Sequence, residues 1–137
     1  MKIGIVGSQE YQNFRKVKDA IFSLKNRLGE NTIIVSGGCL IGADKFAKKF
    51  AIELGCNYVE FNPAHTPKNL YSALHENYYG KKYAPKNFFH RNKMLAAYCD
   101  KIVAFIPEGT KSPGTENTIK EAKKLKKKCC NYLLKHI

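Results

Sequence analysis

The sequence predicts an α/β fold of the Rossmann-like, doubly wound type, with a parallel sheet of about five strands and helices on both faces. Three observations predict it. Short apolar segments rich in β-branched residues alternate along the chain with amphipathic helical patterns. The first two of these segments each run into a glycine turn, at Gly7-Ser8 and at Gly37-Gly38. Residues 102–106 contain no polar side chain, which is typical of a central strand covered on both faces.

The first half of the chain alternates strands and helices. Residues 2–7 predict the first strand, residues 32–36 the second and residues 57–61 the third. The helix between the first two strands ends at Gly29, and its apolar residues are spaced three and four positions apart: Phe14, Val17, Ile21, Leu24 and Leu28. The helix after the second strand ends at Gly55, with its own apolar repeat: Ala43, Phe46, Ala47, Phe50, Ala51 and Leu54.

Residues 62–87 interrupt this alternation. Prolines and a glycine punctuate the segment, tyrosines lie between them, and residues 69–78 are long enough for one short helix. A connection of this length is commonly a lid, a binding loop or an interface. The alternative is an insertion that is packed by its own tyrosines.

The last third of the chain completes the pattern. Residues 88–99 predict a helix, residues 107–115 a loop and residues 129–134 a last strand. The final helix is expected to begin at Thr115, with Ile119, Ala122 and Leu125 on its inner face. Right-handed crossovers favour the strand order 3-2-1-4-5. The two glycine turns and the loop at 107–115 then converge at the carboxyl ends of the strands, where such folds bind ligands.

Composition narrows the class of protein. The chain of 137 residues has 44% hydrophobic residues, and no linker or repeat interrupts it, so we expect one domain over residues 1–137 with the insertion at 62–87. No apolar run is long enough for a membrane span, and no signal peptide precedes residue 2, which predicts a cytoplasmic protein. The five cysteines form no Cys-x-x-Cys pair, so we expect reduced, mostly buried thiols and no metal site.

The formal net charge of +13 favours an anionic partner. Six lysines crowd the predicted last helix and the residues after it: Lys120, Lys123, Lys124, Lys126, Lys127 and Lys128. A solvated helix face explains them, and a nucleic-acid contact is the alternative. The aromatic residues are not interleaved with these lysines, as a stacking platform for single strands would require. The sequence is also compatible with a homo-oligomer.

The glycine turns contain the candidate ligand-binding residues. The helix start after Gly37 and Gly38, and the start at Gly114-Thr115, would present free N–H groups to a phosphate. For Gly37 and Gly38 the alternative is a tight turn without a ligand, and for Thr115 it is a helix cap.

Four further residues carry side chains suited to a ligand or to catalysis. Arg91 and Asn92 are expected to open the helix before the central strand. Arg91 could hold a phosphate bidentately, and Asn92 could bond a base, a ribose or neighbouring backbone. Asp44 could contact a ribose, and His90 could carry a proton. The alternatives are a surface salt bridge for Arg91, a cap for Asn92, a favourable helix-dipole position for Asp44 and an ordinary loop histidine.

Taken together, these motifs resemble the YspA-like branch of the SLOG superfamily, which also contains DprA proteins and LOG phosphoribohydrolases. The series comprises Gly7-Ser8, Ser36-Gly37-Gly38 with Gly42-Ala43-Asp44, Arg91-Asn92, Asp100 and Ser112-x-Gly114-Thr115. The resemblance implies a Rossmann-like domain that binds a nucleotide or a nucleotide-derived ligand of the ADP-ribose or NAD type. It does not specify a cofactor beyond this ligand. It implies these pocket residues: Gly37, Gly38, Asp44, Arg91, Asn92, Gly114 and Thr115.

One departure from that resemblance concerns catalysis. The hydrolases of the superfamily carry a glutamate three residues after the threonine of their Gly-Thr motif, and here that residue is Thr118. Glu116 lies on a different face of the helix. The sequence therefore favours a nucleotide sensor or sequestering protein. A nucleotide N-glycosidase that uses Asp44, Glu116 or His90, and a DprA-like nucleic-acid binder, are the alternatives.

Overall fold

Five parallel strands form one sheet in the computed structural model, which describes the backbone of residues 1–134 and the side chains of residues 1–129. The order β3-β2-β1-β4-β5 confirms the predicted order. The strands are β1 (Lys2–Gly7), β2 (Ile33–Ser36), β3 (Asn57–Glu60), β4 (Lys101–Pro107) and β5 (Lys128–Leu134). The central pair is in register from Ile3, opposite Lys101, to Gly7, opposite Phe105.

Four helices cover the two faces of this sheet: α1 (Phe14–Leu28), α2 (Ala43–Glu53), α3 (Lys86–Tyr98) and α4 (Pro113–Lys124). On one face, α1 and α2 pack against Ile3, Ile5 and Phe105. On the other face, α3 and α4 pack against Ile102 and Ala104. Successive side chains of a strand point to opposite faces, so the uninterrupted apolar run of β4 supplies both cores. The doubly wound architecture is thus confirmed.

Helix boundaries follow local sequence signals with a few exceptions. Gly29 ends α1 at φ +86°, and its N–H donates to the Lys25 carbonyl, as predicted for a glycine cap. Asp100 ties the turn between α3 and β4 to the start of β1. Its Oδ2 accepts from the Lys2 N–H at 2.8 Å, and its own N–H donates to the Lys2 carbonyl at 2.7 Å. The expectation that Leu125 is an inner residue is wrong. The helix α4 ends at Lys124, and Leu125 is 51% exposed.

The prediction of one lysine-rich helix also needs correction. Helix α4 ends before Lys126, which adopts a positive φ of 60°, and Lys128 already belongs to β5. Lys127 turns back onto α3, where its Nζ donates to the carbonyl oxygens of Ala96 at 2.9 Å and Ala97 at 2.6 Å. A cation at a helix C-terminus is electrostatically favourable. The lysines therefore do not form one continuous helical face.

Residues 62–87 contain little regular structure. The short helix that residues 69–78 could contain is limited to a single 3-10 turn at Glu76–Tyr78. Asn69 explains the difference, because its N–H donates to Ser72 Oγ at 2.9 Å and its Oδ1 accepts from the Tyr71 N–H at 2.8 Å. Such side-chain to backbone bonds compete with helical ones. Further along, Lys81 donates to the Ala64 carbonyl at 2.9 Å, which closes the segment on itself.

No helix within residues 1–134 is long and apolar enough to cross a membrane. The described side chains contain no group of histidine, cysteine or acidic residues that could hold a metal ion. Four cysteines are free thiols, but only Cys99 of these is buried, which departs from the expectation of mostly buried thiols. The side chain of Cys130, like residues 135–137, lies outside the described residues.

Candidate functional site

A cavity of about 510 Å³ lies at the carboxyl ends of the strands, between the turns that follow β1, β2 and β4. The position is the one at which doubly wound sheets bind ligands. Every residue that the sequence predicts to bind a ligand lines it: Gly7, Ser8, Gly37, Gly38, Asp44, Arg91, Asn92, Gly114 and Thr115. The structure therefore brings together four turns and helices that are distant in sequence.

Glycine is required where the first two turns approach each other. Gly42 has φ +73°, and a Cβ there would strike the Ser8 carbonyl and Gln9. A Cβ on Gly7 would strike the Phe105 carbonyl and lie 2.6 Å from Ala43. The Ser8 carbonyl instead accepts from the Ala43 N–H at 3.2 Å, which fixes the start of α2. These two glycines are explained by protein packing.

Gly37 separates the two charged groups of the cavity. A Cβ on Gly37 would lie 2.5 Å from Arg91 Nη1 and 2.9 Å from Asp44 Oδ2. Arg91 and Asp44 make no direct ion pair among the described side chains. Because Gly37 has no side chain, the Arg91 guanidinium and the Asp44 carboxylate can both lie next to its backbone.

Asp44 is held as an acceptor in the first turn of α2. Its Oδ2 accepts from the Cys39 N–H at 3.1 Å. Burial raises the pKa of this carboxyl to about 6, against the opposing effects of Arg91 and of the Cys39 N–H. An aspartate that titrates near neutral pH and lines a cavity is suited to accept a ligand's hydrogen bond or a proton.

Arg91 lies in the middle of α3 rather than at its start, and most of its donors bind the protein. Nη1 donates to the carbonyl oxygens of Gly37 at 2.5 Å and Phe61 at 3.2 Å, and Nε donates to Asn92 Oδ1 at 2.8 Å. Only Nη2 has no partner among the described residues. The predicted bidentate grip on a phosphate is therefore not available without breaking these bonds. The alternative of a surface salt bridge is not realised, because Arg91 forms no ion pair among the described side chains and burial lowers its pKa.

Asn92 connects α3 to α4. Its Nδ2 donates to the Gly114 carbonyl at 3.3 Å and to Asn117 Oδ1 at 3.2 Å, and the side chain is 5% exposed. The expectation that Asn92 caps a helix is wrong, since it lies inside α3. In this structure Asn92 positions the start of α4 on the cavity wall.

Gly38 lines the cavity, but the position that a side chain would take there is already occupied by the protein. A Cβ there would lie 2.7 Å from both Asn62 Nδ2 and Glu60 Cδ, and φ is +76°. Glu60 is buried and accepts from Asn62, Asn69 and the Tyr58 hydroxyl, with Lys48 at 3.4 Å. Burial raises the pKa of Glu60, but these hydrogen bonds outweigh it and the net pKa is lowered. Gly38 therefore accommodates this buried network.

The N-terminus of α4 forms the opposite wall. Its N-cap is Ser112, so the capping alternative for Thr115 is wrong. The Ser112 hydroxyl pairs with Thr115 Oγ1 at 2.7 Å and makes no capping bond. Among the described residues, nothing accepts from the backbone N–H of Gly114 or Thr115. A Cβ on Gly114 would meet no atom within 4 Å, and Lys111 also lines the cavity.

The three candidate catalytic residues are separated. Asp44 lines the cavity, whereas Glu116 and His90 are exposed and are not among the lining residues. His90 Nδ1 lies 3.3 Å from the Tyr78 hydroxyl instead. Thr118, at the position of the hydrolase glutamate, lines the cavity, and its hydroxyl donates to the Gly114 carbonyl at 3.1 Å.

Several lining residues were not predicted from the sequence. They include Gln9, Glu10, Cys39, Pro63, His65, Phe88, Lys111 and Thr118. The flanking positions of the glycine turns could have pointed to Gln9, Glu10, Cys39 and Lys111. His65 and Pro63 lie in the segment 62–87, whose path over the cavity depends on contacts distant in sequence.

Comparison with known proteins supports the fold. The sequence profile described as DNA recombination-mediator protein A matches residues 1–134. No curated protein matches the chain. A molybdenum cofactor binding protein from the phototrophic bacterium Rippkaea orientalis superimposes with a TM-score of 0.72 and 14% identity, covering 99% of this chain and 77% of its own. A Moco carrier protein from Chlamydomonas reinhardtii gives a TM-score of 0.65 and 18% identity, covering 98% and 76%.

Proposed function

The chain belongs to the family of DNA recombination-mediator protein A, and we propose that it binds a small, phosphate-bearing nucleotide or nucleotide-like molecule in the cavity. This family assignment agrees with the SLOG resemblance of the motifs. A finer placement in the YspA-like branch remains part of the proposal. The activity proposed is binding itself, as a sensor or a sequestering protein.

The observation that carries the proposal is the pair of N–H groups at Gly114 and Thr115, in the first turn of a twelve-residue helix, for which the described residues provide no acceptor. A helix N-terminus carries roughly half a positive charge, and its free N–H groups suit a phosphate. The Ser112 and Thr115 hydroxyls share one hydrogen bond, so one hydroxyl proton is left to donate. Lys111 adds a cationic side chain to the same wall.

Helix α2 is less suited to a phosphate, although its glycine turn first suggested one. The carboxylate of Asp44 occupies its first turn, and the Ser8 carbonyl accepts from the Ala43 N–H. Both groups place negative charge where a phosphate would lie. We therefore assign the phosphate to α4 and a hydrogen-bond donor of the ligand, such as a ribose hydroxyl or an amino group, to Asp44.

The ligand class follows from this polarity. Nucleoside phosphates, ADP-ribose and NAD combine a phosphate with hydroxyl and amino donors. The two structural neighbours bind or carry molybdenum cofactor, which is built on a phosphate-bearing pterin, and this cofactor fits the same description. Molybdenum cofactor would be cargo here, with the protein holding its organic part.

Calorimetric titration tests the proposal. We expect the purified protein to bind AMP, GMP, ADP-ribose or NAD with 1:1 stoichiometry, and Lys111→Gln to weaken that binding several-fold. Lys120→Gln is the matched control, because Lys120 is exposed on α4 and does not line the cavity. Failure to bind any of these ligands, or an equal effect of both variants, would contradict the proposal.

The family profile favours one second candidate, nucleic-acid binding. The net charge of +13 agrees with it. Binding through several lysines would weaken steeply with salt, with a slope of about −0.9 per neutralised phosphate on duplex DNA. Replacing Lys120, Lys123 and Lys124 with glutamine should then weaken DNA binding in a fluorescence anisotropy assay. A slope near zero and no effect of this variant would exclude this candidate.

A further inference from the structure

His65 is the one histidine side chain that lines the cavity within the described part of the chain. It belongs to the segment 62–87, and its ring is held on two sides. The Tyr83 ring lies 4.8 Å away and the Phe88 ring 5.0 Å away, both edge to face. Contacts of this geometry restrict the orientation of an aromatic ring. The imidazole is thus presented in a fixed position.

A hydrogen bond from Asn87 determines which nitrogen of His65 carries the proton. Asn87 Nδ2 lies 3.2 Å from the Lys82 carbonyl oxygen and 3.1 Å from His65 Nδ1. A carbonyl oxygen only accepts, so the atom facing it must be the amide nitrogen. The second amide proton then points to His65 Nδ1, which must be an unprotonated acceptor. In the neutral ring the proton consequently lies on Nε2.

His65 Nε2 has no partner among the described residues, so its N–H is available to a ligand. Phe88 and Pro63 line the cavity beside it and supply aromatic and apolar surface. These residues lie on α3 and on the segment after β3, whereas we assign the phosphate to the N-terminus of α4. The cavity therefore combines an anion-binding wall with an apolar wall that contains one oriented donor.

We propose that His65 recognises the heterocycle of the ligand, and that its Nε2–H donates to an acceptor atom of a planar nitrogen heterocycle lying against Phe88. This inference rests on the proposed function and adds to it the residue that recognises the ligand's heterocycle, as in a purine or a pterin. Purines and pterins carry ring nitrogens or carbonyl oxygens that accept such a bond. Asn87 is the positioning residue, since it acts through His65.

The test compares AMP and GMP with ribose 5-phosphate by calorimetry. We expect at least one nucleotide to bind tenfold or more tightly than ribose 5-phosphate. His65→Asn removes the Nε2 donor and should cost that nucleotide about fivefold to tenfold, as expected for one lost hydrogen bond. It should leave ribose 5-phosphate within twofold. His65→Gln, whose amide nitrogen reaches the position of Nε2, should retain most of the affinity. His90→Asn, outside the cavity, is the control.

The outcomes separate the two proposals. If these three probes, ADP-ribose and NAD all fail to bind, the proposed function and this inference both fail; if only ADP-ribose or NAD binds, the His65 variants are compared on that ligand, with the same outcomes. If His65→Asn leaves nucleotide affinity unchanged, or lowers the affinity for nucleotide and ribose 5-phosphate equally, only the role of His65 fails.

Long-range 1H–15N NMR of the imidazole adds an independent readout. We expect the proton on Nε2 in the wild-type protein and its loss from that site in part of the Asn87→Ala population; a proton on Nδ1 in wild type would overturn the inference.

Discussion

Arg91 donates a hydrogen bond of 2.5 Å from Nη1 to the carbonyl oxygen of Gly37, which precedes it by 54 residues. The same nitrogen donates to the Phe61 carbonyl. One guanidinium thus joins α3 to the turn after β2 and to the beginning of the segment 62–87. The relative positions of these cavity-lining elements therefore depend on the Arg91 side chain, with or without a bound ligand.

Replacing Arg91 should therefore destabilise the protein. Arg91→Met keeps the apolar stem but leaves the Gly37 and Phe61 carbonyls without this donor, which we expect to cost about 3 kcal/mol in the free energy of unfolding. Urea denaturation measures it. Lys93→Met is the control, because Lys93 is exposed on the same helix. Equal stability of the two variants would show that Arg91 does not hold the turns together.

The two glycines on opposite walls of the cavity should respond differently to a methyl group. Gly37→Ala places a Cβ against Arg91 and Asp44, and overpacking of this kind costs about 1–3 kcal/mol. Gly114→Ala meets no atom within 4 Å and adds a better helix former, so its stability should be unchanged or slightly higher. Thermal unfolding followed by circular dichroism compares them. Destabilisation by Gly114→Ala would contradict the open geometry at α4.

Gly38 provides a caution for such experiments. A larger residue there would strike Asn62 and Glu60 and would have to adopt a positive φ. Loss of ligand binding in Gly38→Val would consequently report a damaged fold rather than a lost phosphate contact. Gly114→Ala avoids this ambiguity.

Asp44 should make stability depend on pH. Its pKa is raised to about 6 from an ordinary value of 3.8, so the folded protein binds this proton more tightly than the unfolded chain does. The stabilisation is present below the unfolded pKa and is lost as pH rises from about 4 through 6. Between pH 4 and pH 8, the free energy of unfolding should fall by about 2 kcal/mol less in Asp44→Asn than in the wild-type protein. Parallel pH profiles for the two proteins would refute the raised pKa.

Lys127 should stabilise the C-terminus of α3. Its ammonium donates to the carbonyls of Ala96 and Ala97, so Lys127→Met should lower the free energy of unfolding by about 1 kcal/mol. Lys123→Met, at an exposed position of α4, should change it by less than about 0.5 kcal/mol. The comparison by urea denaturation distinguishes a structural lysine from a solvated one. Equal free energies of unfolding for the two variants would show that Lys127 does not stabilise the C-terminus of α3.

The fold could be predicted from the sequence because its signals are local. Apolar periodicity located the strands and helices, and the preference for right-handed crossovers ordered the sheet. The failures occur where side-chain hydrogen bonds compete with the helical ones, or where a helix ends before its apolar pattern does. Residues 69–78 form only a 3-10 turn, since Asn69 makes hydrogen bonds with Tyr71, Ser72 and Glu60. Leu125 fitted the helical repeat, but α4 ends one residue earlier.

The candidate site was predictable in part for a related reason. The glycine turns are visible in sequence, and topology brings them to one edge of the sheet. The partners of each side chain are not visible. Nothing in the sequence indicates that Arg91 donates hydrogen bonds to the Gly37 and Phe61 carbonyls, or that Asn87 orients His65. Roles that depend on such pairs require the three-dimensional structure.

The most direct test of the proposed ligand site is the NMR response of the Gly114 and Thr115 amide groups. In a titration with AMP or GMP, the account predicts that both amide protons move downfield and saturate together, as expected when free N–H groups donate to a phosphate. Inorganic phosphate should move the same two resonances at higher concentration. Nucleotide binding that leaves both resonances in place and instead perturbs the lysines between residues 120 and 128 would contradict it.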